Sequence, residues 1–259
     1  MSKVVIFDIG GVLASDGYNE VIDRLFGNDI IPADKYAKIM KSGNEAWKIY
    51  KYGAMNEEQF WQAVIDPNFS IIVEHLDCLH GFPKENLDNE AIVKSNLMQY
   101  LSKFLRDQLI LFRNTVDLIE SIFEDISKYP TLEAIGILSN HSKEWSHYIY
   151  HELAGGSLAK LFEKNLVKKG THCEDLIVWS CDVNHAKPEK EIYEILLERI
   201  RKHVNSEIDP SQVCFIDDKD RNIEAARQLG ISTIHFDASL PEQFDFAIFK
   251  QTLEEFLSQ

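Results

Sequence analysis

A run of apolar residues close to the N-terminus stops abruptly at one acidic residue and two glycines. Residues 3–7 are mostly β-branched or aromatic and do not alternate with polar residues, which is typical of a strand buried on both faces of a parallel sheet. Asp8 then lies at the carboxyl edge of that strand, where open α/β sheets bind their ligands. Gly10 and Gly11 let the backbone turn and approach a ligand, because they carry no Cβ. The sequence therefore predicts an α/β fold with a carboxylate at its ligand-binding edge.

Three later segments carry polar side chains next to a strand end or a helix start. In chain order they are Ser139-Asn140 after the apolar run 134–138, Lys187 before a helical pattern that begins at Pro188, and Asp217-Asp218 after the apolar run 213–216. Each alone has an ordinary explanation as a helix cap or a turn. The order Asp, Ser, Lys, Asp-Asp, however, resembles the four motifs of the haloacid dehalogenase (HAD) superfamily. The resemblance covers residues 2–13 and 109–236.

The resemblance implies a Rossmann-like, three-layer α/β core with a parallel sheet, and it implies a role for each motif. Asp8 corresponds to the nucleophile, which attacks phosphorus, or carbon in the dehalogenases, and forms an aspartyl intermediate that water hydrolyses. Ser139, Asn140 and Lys187 correspond to the residues that bind the phosphoryl group. Charge neutralisation of this kind supplies most of the catalysis in phosphoryl transfer.

The same resemblance implies a metal site. Asp8, the carbonyl of Gly10 and Asp218 correspond to direct ligands, and Asp217 helps directly or through water. Three neighbouring carboxylates need a cation to remain ionised together. Hard oxygen ligands beside a phosphate favour Mg²⁺.

One position departs from the common pattern and leaves the chemistry open. Many phosphatases of the superfamily carry a second Asp two residues after the nucleophile, as general acid and base, and here that residue is Gly10. Asp16, between Gly11 and Gly17, is a candidate substitute, although a solvent-exposed turn residue explains it equally well. Metal-independent dehalogenases also lack the second Asp, which gives an alternative activity. A phosphate-binding regulatory protein without turnover is a third interpretation.

The stretch between the first two motifs is predicted to be a helical cap domain. Apolar residues there recur at spacings of three and four, typical of amphipathic helices. We therefore predict a core of residues 1–14 and 109–259 and a cap of residues 15–108. The segment from Gly53 to Trp61 resembles the cap of sugar-phosphate phosphatases in the superfamily, a branch that also has Gly at the position of Gly10. Residues 166–175 are expected to be an added loop.

The charge and the cysteine pattern argue against nucleic-acid and membrane partners and favour a reducing compartment. The chain has 259 residues and a formal net charge of −15, which disfavours binding to nucleic acid and to anionic membranes. No apolar stretch reaches transmembrane length, no signal peptide is evident, and the four cysteines show no CxxC spacing. We expect a reduced, cytoplasmic protein of unknown oligomeric state.

Several other residues are weaker candidates. Arg24, Lys48 and Lys51 could bind the distal part of a substrate, and His147 with His151 could bind a metal, although a solvated helix face explains the histidine pair better. Together the observations predict a Mg²⁺-dependent phosphatase acting on a small phosphorylated metabolite, with sugar phosphates as one candidate class.

Overall fold

A five-stranded parallel sheet forms the centre of the protein. The structure is a computed structural model, and it describes residues 2–164 and 173–258, so most of the predicted 166–175 loop lies outside the described residues. The strands are β1 (Lys3–Phe7), β2 (Leu132–Ser139), β3 (Ile177–Trp179), β4 (Val213–Asp217) and β5 (Ser232–His235), in the spatial order β3-β2-β1-β4-β5. This arrangement confirms the predicted HAD-like α/β fold.

The register of the sheet brings three of the predicted motifs together. Phe7, the last residue of β1, pairs with Ile137 of β2 on one side and with Ile216 of β4 on the other. Since parallel strands all end at the same edge of a sheet, Asp8, Ser139 and Asp217 follow one another across three adjacent strands. The apolar strand residues between them are buried on both faces, as the sequence predicted.

Helices account for most of the remaining chain. They are α1 (Tyr18–Phe26), α2 (Ala33–Tyr50), α3 (Glu57–Ile65), α4 (Phe69–Glu74), α5 (Glu90–Gln108), α6 (Arg113–Glu124), α7 (Lys143–His147), α8 (Ser157–Lys164), α9 (Ser180–Val183), α10 (Lys190–His203), α11 (Asp220–Gln228) and α12 (Phe246–Ser258). A π-helical turn covers Tyr148–Glu152, after α7. In residues 2–164 and 173–258, no helix combines the length and apolar character needed to cross a bilayer.

Five of these helices, α1 to α5, lie in the chain segment that the sequence assigned to the cap. Helix α3 contacts α2 and α5, and α1 contacts α2 and α5, so these helices bury their apolar faces against one another. Helix α3 begins with a capping box, in which Asn56 and Gln59 each accept a backbone N–H of the other, at 2.8 and 2.9 Å. The division into two domains at residues 14/15 and 108/109 stays a prediction.

Polar and aromatic contacts fasten the helical segment to the core. Tyr50 stacks on Phe60 within the segment, with ring centroids 4.7 Å apart, and Tyr50 also meets the core residue Trp145 edge-on at 5.0 Å. The carboxylate of Glu57 accepts two hydrogen bonds from Arg106, at 2.6 and 2.8 Å, and a third from the indole of Trp145 at 3.1 Å. The orientation of α3 is therefore fixed from both sides.

The chain leaves the core for the helical segment near Ser15 and returns near Ile110, and these two connections lie side by side. Backbone Ser15 N donates to Ile110 O at 2.9 Å, and Ile110 N donates to the Ser15 hydroxyl at 3.1 Å. Phe112 N donates to Leu13 O at 2.9 Å. These bonds lie at the predicted boundaries and hold the segment that leads from Asp8 to Asp16 in a defined conformation.

A substitution at Gly43 of α2 tests this packing. A Cβ at Gly43 would lie 1.5 Å from the hydroxyl of Tyr18 and 2.1 Å from its ring carbon Cζ. We expect Gly43→Ala to lower the free energy of unfolding by about 1–3 kcal/mol through overpacking, although alanine favours helices over glycine. Urea denaturation measures this change in the free energy of unfolding. Lys48→Ala, at an exposed position of the same helix, should be nearly neutral, and a stabilised Gly43→Ala variant would contradict the packing.

Candidate active site

The buried ammonium group of Lys187 joins two of the predicted acids. Its Nζ lies 2.8 Å from Asp8 Oδ2 and 2.6 Å from Asp217 Oδ2. All three residues are buried, and Lys187 is only 1% exposed. Two carboxylates therefore share one positive charge in a region that water barely reaches, and charge-assisted hydrogen bonds of this kind are strong.

The surroundings keep Asp8 ionised. Burial by itself would raise the pKa of Asp8, but attraction to Lys187 and Lys219, together with hydrogen bonds from Lys187 and Ser139, holds that pKa below its usual value. Its Oδ1 also accepts the backbone N–H of Ile9 at 2.7 Å. Burial opposes the charge of Lys187, yet Asp217 and Asp8 outweigh it and raise the pKa of this lysine. A charged carboxylate, the form that a nucleophile requires, is thus available at the end of β1.

Asp217 is held by the protein itself. In addition to Lys187, it accepts the backbone N–H of Lys219 at 2.8 Å and the amide of Asn222 at 2.9 and 3.1 Å. Burial raises the pKa of Asp217 in spite of Lys187, and repulsion from Asp8 adds to this effect. With its oxygens engaged in this way, Asp217 is suited to position Lys187 and Asn222.

Asp218 differs from Asp217, because one of its oxygens has no partner. Its Oδ1 is buried without a hydrogen bond, and its Oδ2 lies 3.6 Å from Lys219 Nζ. Burial raises the pKa of Asp218 to about 8, with repulsion from Asp8, Asp16 and Asp217 partly offset by Lys219. Carboxylate oxygens of Asp8, Asp217 and Asp218 lie within 4.8 Å of one another.

Asn140 is used differently from Ser139. The Ser139 side chain is buried at the end of β2 and hydrogen-bonds Asp8. The side-chain amide of Asn140 instead accepts the backbone N–H of Lys187 at 2.8 Å and donates to the Lys187 carbonyl at 2.9 Å. Asn140 thereby holds the backbone of Lys187 against the end of β2. Its predicted contact with a substrate stays a prediction.

The carboxylate of Asp16 lies against Gly10. A Cβ added at Gly10 would be only 2.4 Å from Asp16 Oδ1, so Asp16 takes up the space where a side chain at position 10 would begin. Lys219 Nζ lies 3.2 Å from Asp16 Oδ2 and so connects Asp16 to Asp218. The structure therefore places an acid beside Gly10, in the same cavity as Asp8, despite the glycine at position 10.

A cavity of about 170 Å³ opens above these residues, between the sheet edge and the helical segment. Its lining residues are Asp8, Gly10, Asp16, Tyr18, Asn19, Asn44, Trp47, Ser139, Asn140, His141, Trp145, Lys187, Lys219, Arg221 and Asn222. The sequence analysis missed His141, Lys219 and Arg221, although each directly follows or closely follows a motif. Arg24, Lys48 and Lys51 do not line this cavity.

Two other clusters in the described residues could in principle hold a metal. His147 and His151 lie side by side, with ring centroids 4.8 Å apart, but no third ligand joins them in the described part of the chain. A second group, His185 with Glu189 and Glu191, is partly exposed, and its Glu189 is hydrogen-bonded by Tyr52 and by backbone Ala186. The Asp8 cluster is the more deeply buried group.

Comparison with known proteins gives matches over most of the chain. A family model described as a haloacid dehalogenase-like hydrolase matches residues 2–230. A HAD family enzyme from Bacteroides thetaiotaomicron aligns with a TM-score of 0.56 and 18% identity, over 92% of this chain and 94% of that chain. The same enzyme in complex with magnesium and inorganic phosphate gives a TM-score of 0.57 and 17% identity, over 92% and 96%.

An L-2-haloacid dehalogenase from Xanthobacter autotrophicus aligns with a TM-score of 0.48 and 18% identity, over 91% of this chain and 77% of that chain. The Bacteroides thetaiotaomicron enzyme, with TM-scores of 0.56 and 0.57 at 18% and 17% identity, supports a common fold and nothing finer. The five-stranded parallel sheet, the motif residues at its carboxyl edge and the family match over residues 2–230 lead to one conclusion: this chain belongs to the haloacid dehalogenase-like hydrolase family.

Proposed function

We propose that this hydrolase is a Mg²⁺-dependent phosphatase that cleaves small phosphorylated metabolites through an aspartyl-phosphate intermediate. The observation that carries the proposal is the cluster of Asp8, Asp217 and Asp218, in which Asp8 and Asp217 share the buried ammonium group of Lys187 and Asp218 lies 3.6 Å from Lys219. With Asp16, which also pairs with Lys219, four carboxylates face only these two ammonium groups. A phosphoryl group would add further negative charge, so a cation is needed.

The donor set fits Mg²⁺. The unpartnered Oδ1 of Asp218 is a buried oxygen that lacks a donor, and carboxylate and carbonyl oxygens are the ligands that Mg²⁺ prefers. Asp8, Asp218 and the carbonyl of Gly10 would hold the ion, with Asp217 as a further or water-mediated ligand. When bound, the ion would supply positive charge to the phosphoryl oxygens. A fold neighbour crystallised with magnesium and inorganic phosphate agrees with this proposal.

Asp8 is the proposed nucleophile. Its carboxylate forms a bond to phosphorus while the ester P–O bond breaks, and the leaving oxygen takes up a proton. Water then attacks phosphorus and gives up a proton to Asp16, the bond to Asp8 breaks, inorganic phosphate is released and the free Asp8 carboxylate is regenerated. Ser139 and Lys187 bind the phosphoryl oxygens, and Asn140 keeps the Lys187 backbone in place through its two hydrogen bonds.

Asp16 is the proposed proton donor to the leaving oxygen. Its Oδ1 lies beside Gly10, next to the nucleophile, and it lines the cavity. Its side chain is 43% exposed, so it can exchange protons with water between steps. Lys219, at 3.2 Å, orients the carboxylate.

The volume and lining of the cavity also favour a particular kind of substrate. A volume of about 170 Å³ and a wall of amides and indoles suit a small polar leaving group, and sugar phosphates are one such class.

A substrate panel tests the activity itself. We expect phosphate release from small phosphate esters in the presence of Mg²⁺ and its loss in EDTA, measured as inorganic phosphate. Halide release from 2-haloacids in EDTA would support the metal-independent dehalogenase instead. Phosphate binding without turnover of any ester would support the regulatory protein.

Replacing the nucleophile gives a direct test. Asp8→Asn should lower kcat by at least about 10³-fold, because an amide is a poor nucleophile. Thermal denaturation should show a folded protein, since Lys187 keeps Asp217 as a partner. Asp220→Asn is the matched control, because Asp220 is 90% exposed and should leave kcat unchanged. Substantial turnover by Asp8→Asn would exclude the covalent mechanism.

The role of Asp16 is tested by the choice of leaving group. Asp16→Asn should slow alkyl phosphates by about 10²-fold but aryl phosphates much less, because an aryl leaving oxygen needs little protonation. Asp29→Asn, at an exposed position of the helical segment, is the control. A side chain at position 10 would collide with Asp16, so the acid is best restored in Gly10→Asp combined with Asp16→Ala. Equal losses on both substrate classes would remove Asp16 from the mechanism.

The metal site predicts a pH-dependent stability difference. The pKa of Asp218 is about 8 in the folded protein and 3.8 as its ordinary value, so ionisation destabilises the metal-free fold progressively as pH rises between these values. Asp218→Asn cannot ionise, and its melting temperature in EDTA should exceed that of the parent by more at about pH 8 than at about pH 5.

Saturating Mg²⁺ should reverse this order, because it binds the folded parent. Asp29→Asn, at an exposed position, should melt like the parent at both pH values. A difference between Asp218→Asn and the parent that does not change with pH would contradict the crowding of carboxylates.

A further inference from the structure

His141 is a buried histidine that the mechanism above does not use. It follows Ser139-Asn140 at the end of β2, and its backbone N–H donates to the Ser180 hydroxyl at 3.0 Å. The residue is 4% exposed and lines the cavity. Its ring meets Trp47 edge-on at 6.4 Å and Trp179 edge-on at 6.0 Å. The imidazole is therefore fixed between two indoles at the wall of the substrate cavity.

The imidazole has polar atoms that the protein does not satisfy. Its Nδ1 is buried without a hydrogen bond, and neither ring nitrogen has a hydrogen-bond partner among residues 2–164 and 173–258. Leaving a buried polar group without a partner is unfavourable, and an apolar side chain would fill the same space at less cost. The cavity beside the ring is where a partner can enter.

The ring enters this interaction uncharged. Burial lowers the pKa of His141 to about 4, although Asp8 and Asp16 act in the opposite direction. A neutral imidazole offers one N–H donor and one acceptor nitrogen. Its natural partner is a group that both donates and accepts, and a hydroxyl does so.

The cavity wall near His141 also carries side chains that can both donate and accept hydrogen bonds. Asn19 of α1 and Asn44 of α2 line it, and their side-chain amides have no hydrogen-bond partner within the described chain. Each amide also provides donors and an acceptor. The indole of Trp47 adds an apolar face to the same lining. Phosphoryl binding by Ser139 and Lys187 leaves this wall for the leaving group.

We propose that His141 hydrogen-bonds a hydroxyl of the leaving group and thereby makes the enzyme selective for phosphate esters of hydroxyl-bearing alcohols over simple alkyl phosphates. This inference rests on the proposed phosphatase activity. It assigns His141 to substrate specificity, whereas the chemical steps are carried by Asp8 and Asp16.

The test compares two esters that differ only in hydroxyl groups, 2,3-dihydroxypropyl phosphate and propyl phosphate. For His141→Leu we expect kcat/KM to fall about tenfold on the dihydroxy ester, mainly through KM, and to stay within about twofold on the propyl ester. His141→Gln keeps a donor and an acceptor and should retain part of the preference. His147→Leu, at an exposed histidine that is 65% accessible, should leave both substrates unaffected.

Thermal melting separates a substrate contact from a structural role. Without substrate, His141→Leu should melt at or above the parent temperature, because it removes an unsatisfied buried polar group. A marked decrease in the melting temperature of both His141→Leu and His141→Gln would make His141 structural and overturn the proposal. If the leucine variant does not fold, His141→Gln provides the comparison of esters.

The proposed phosphatase activity and the proposed role of His141 can be disproved separately. A parent enzyme that hydrolyses neither these esters nor any other phosphate ester would overturn the phosphatase activity, and the specificity role with it. A parent that is active but has the same preference as His141→Leu would overturn only the role of His141. Equal losses on both esters would have the same meaning.

Discussion

The ion pairs of Lys187 with Asp8 and Asp217 are the interaction on which the site depends. They connect β1, β4 and the segment before α10 at the carboxyl edge of the sheet, at 2.8 and 2.6 Å. Removing one partner of such a buried cluster would leave uncompensated charge, which is strongly unfavourable. The two hydrogen bonds between the Asn140 side chain and the Lys187 backbone, and the one that Asn222 donates to Asp217, follow from the same requirement, since they fix the partners in position.

The site holds more carboxylates than ammonium groups, and this excess of negative charge underlies the proposed metal site. Asp217 is satisfied by the protein, whereas Asp218 keeps an unpartnered oxygen and has a pKa raised to about 8, with burial as the main cause. A fold that buries an acid in this way is stabilised by a bound cation. The proposed magnesium site and the expected loss of stability of the metal-free protein at higher pH are therefore two consequences of one arrangement.

The helical segment forms one wall of the cavity, and specific hydrogen bonds and ring contacts attach it to the core. Glu57 bonds Arg106 of α5 and Trp145 of the core, and the rings of Tyr50, Phe60 and Trp145 pack together. These contacts fix the helices that bring Asn19, Asn44 and Trp47 to the wall opposite the motif residues. In the proposed function, a substrate is bound by both the motif residues and the helical segment, so loss of the contacts from the helical segment would alter specificity without changing the nucleophile.

The sequence by itself determined the α/β fold and the residues at the strand ends, because buried parallel strands have an unbroken apolar pattern and their carboxyl ends share one edge. The strand-end pattern indicated Asp8, Ser139 and Asp217-Asp218, whereas Lys187 was indicated by the helix start at Pro188 together with the resemblance. Asp16 was indicated by its place between Gly11 and Gly17, just after Asp8. Only the tertiary structure decided which oxygens are occupied, that Asn140 braces the Lys187 backbone, and that Asp16 takes the space beside Gly10. His141 and Lys219 escaped sequence analysis for the same reason. The structure singles out His141 by its burial and Lys219 by its contact with Asp16, which is distant in the chain, and no local pattern encodes either.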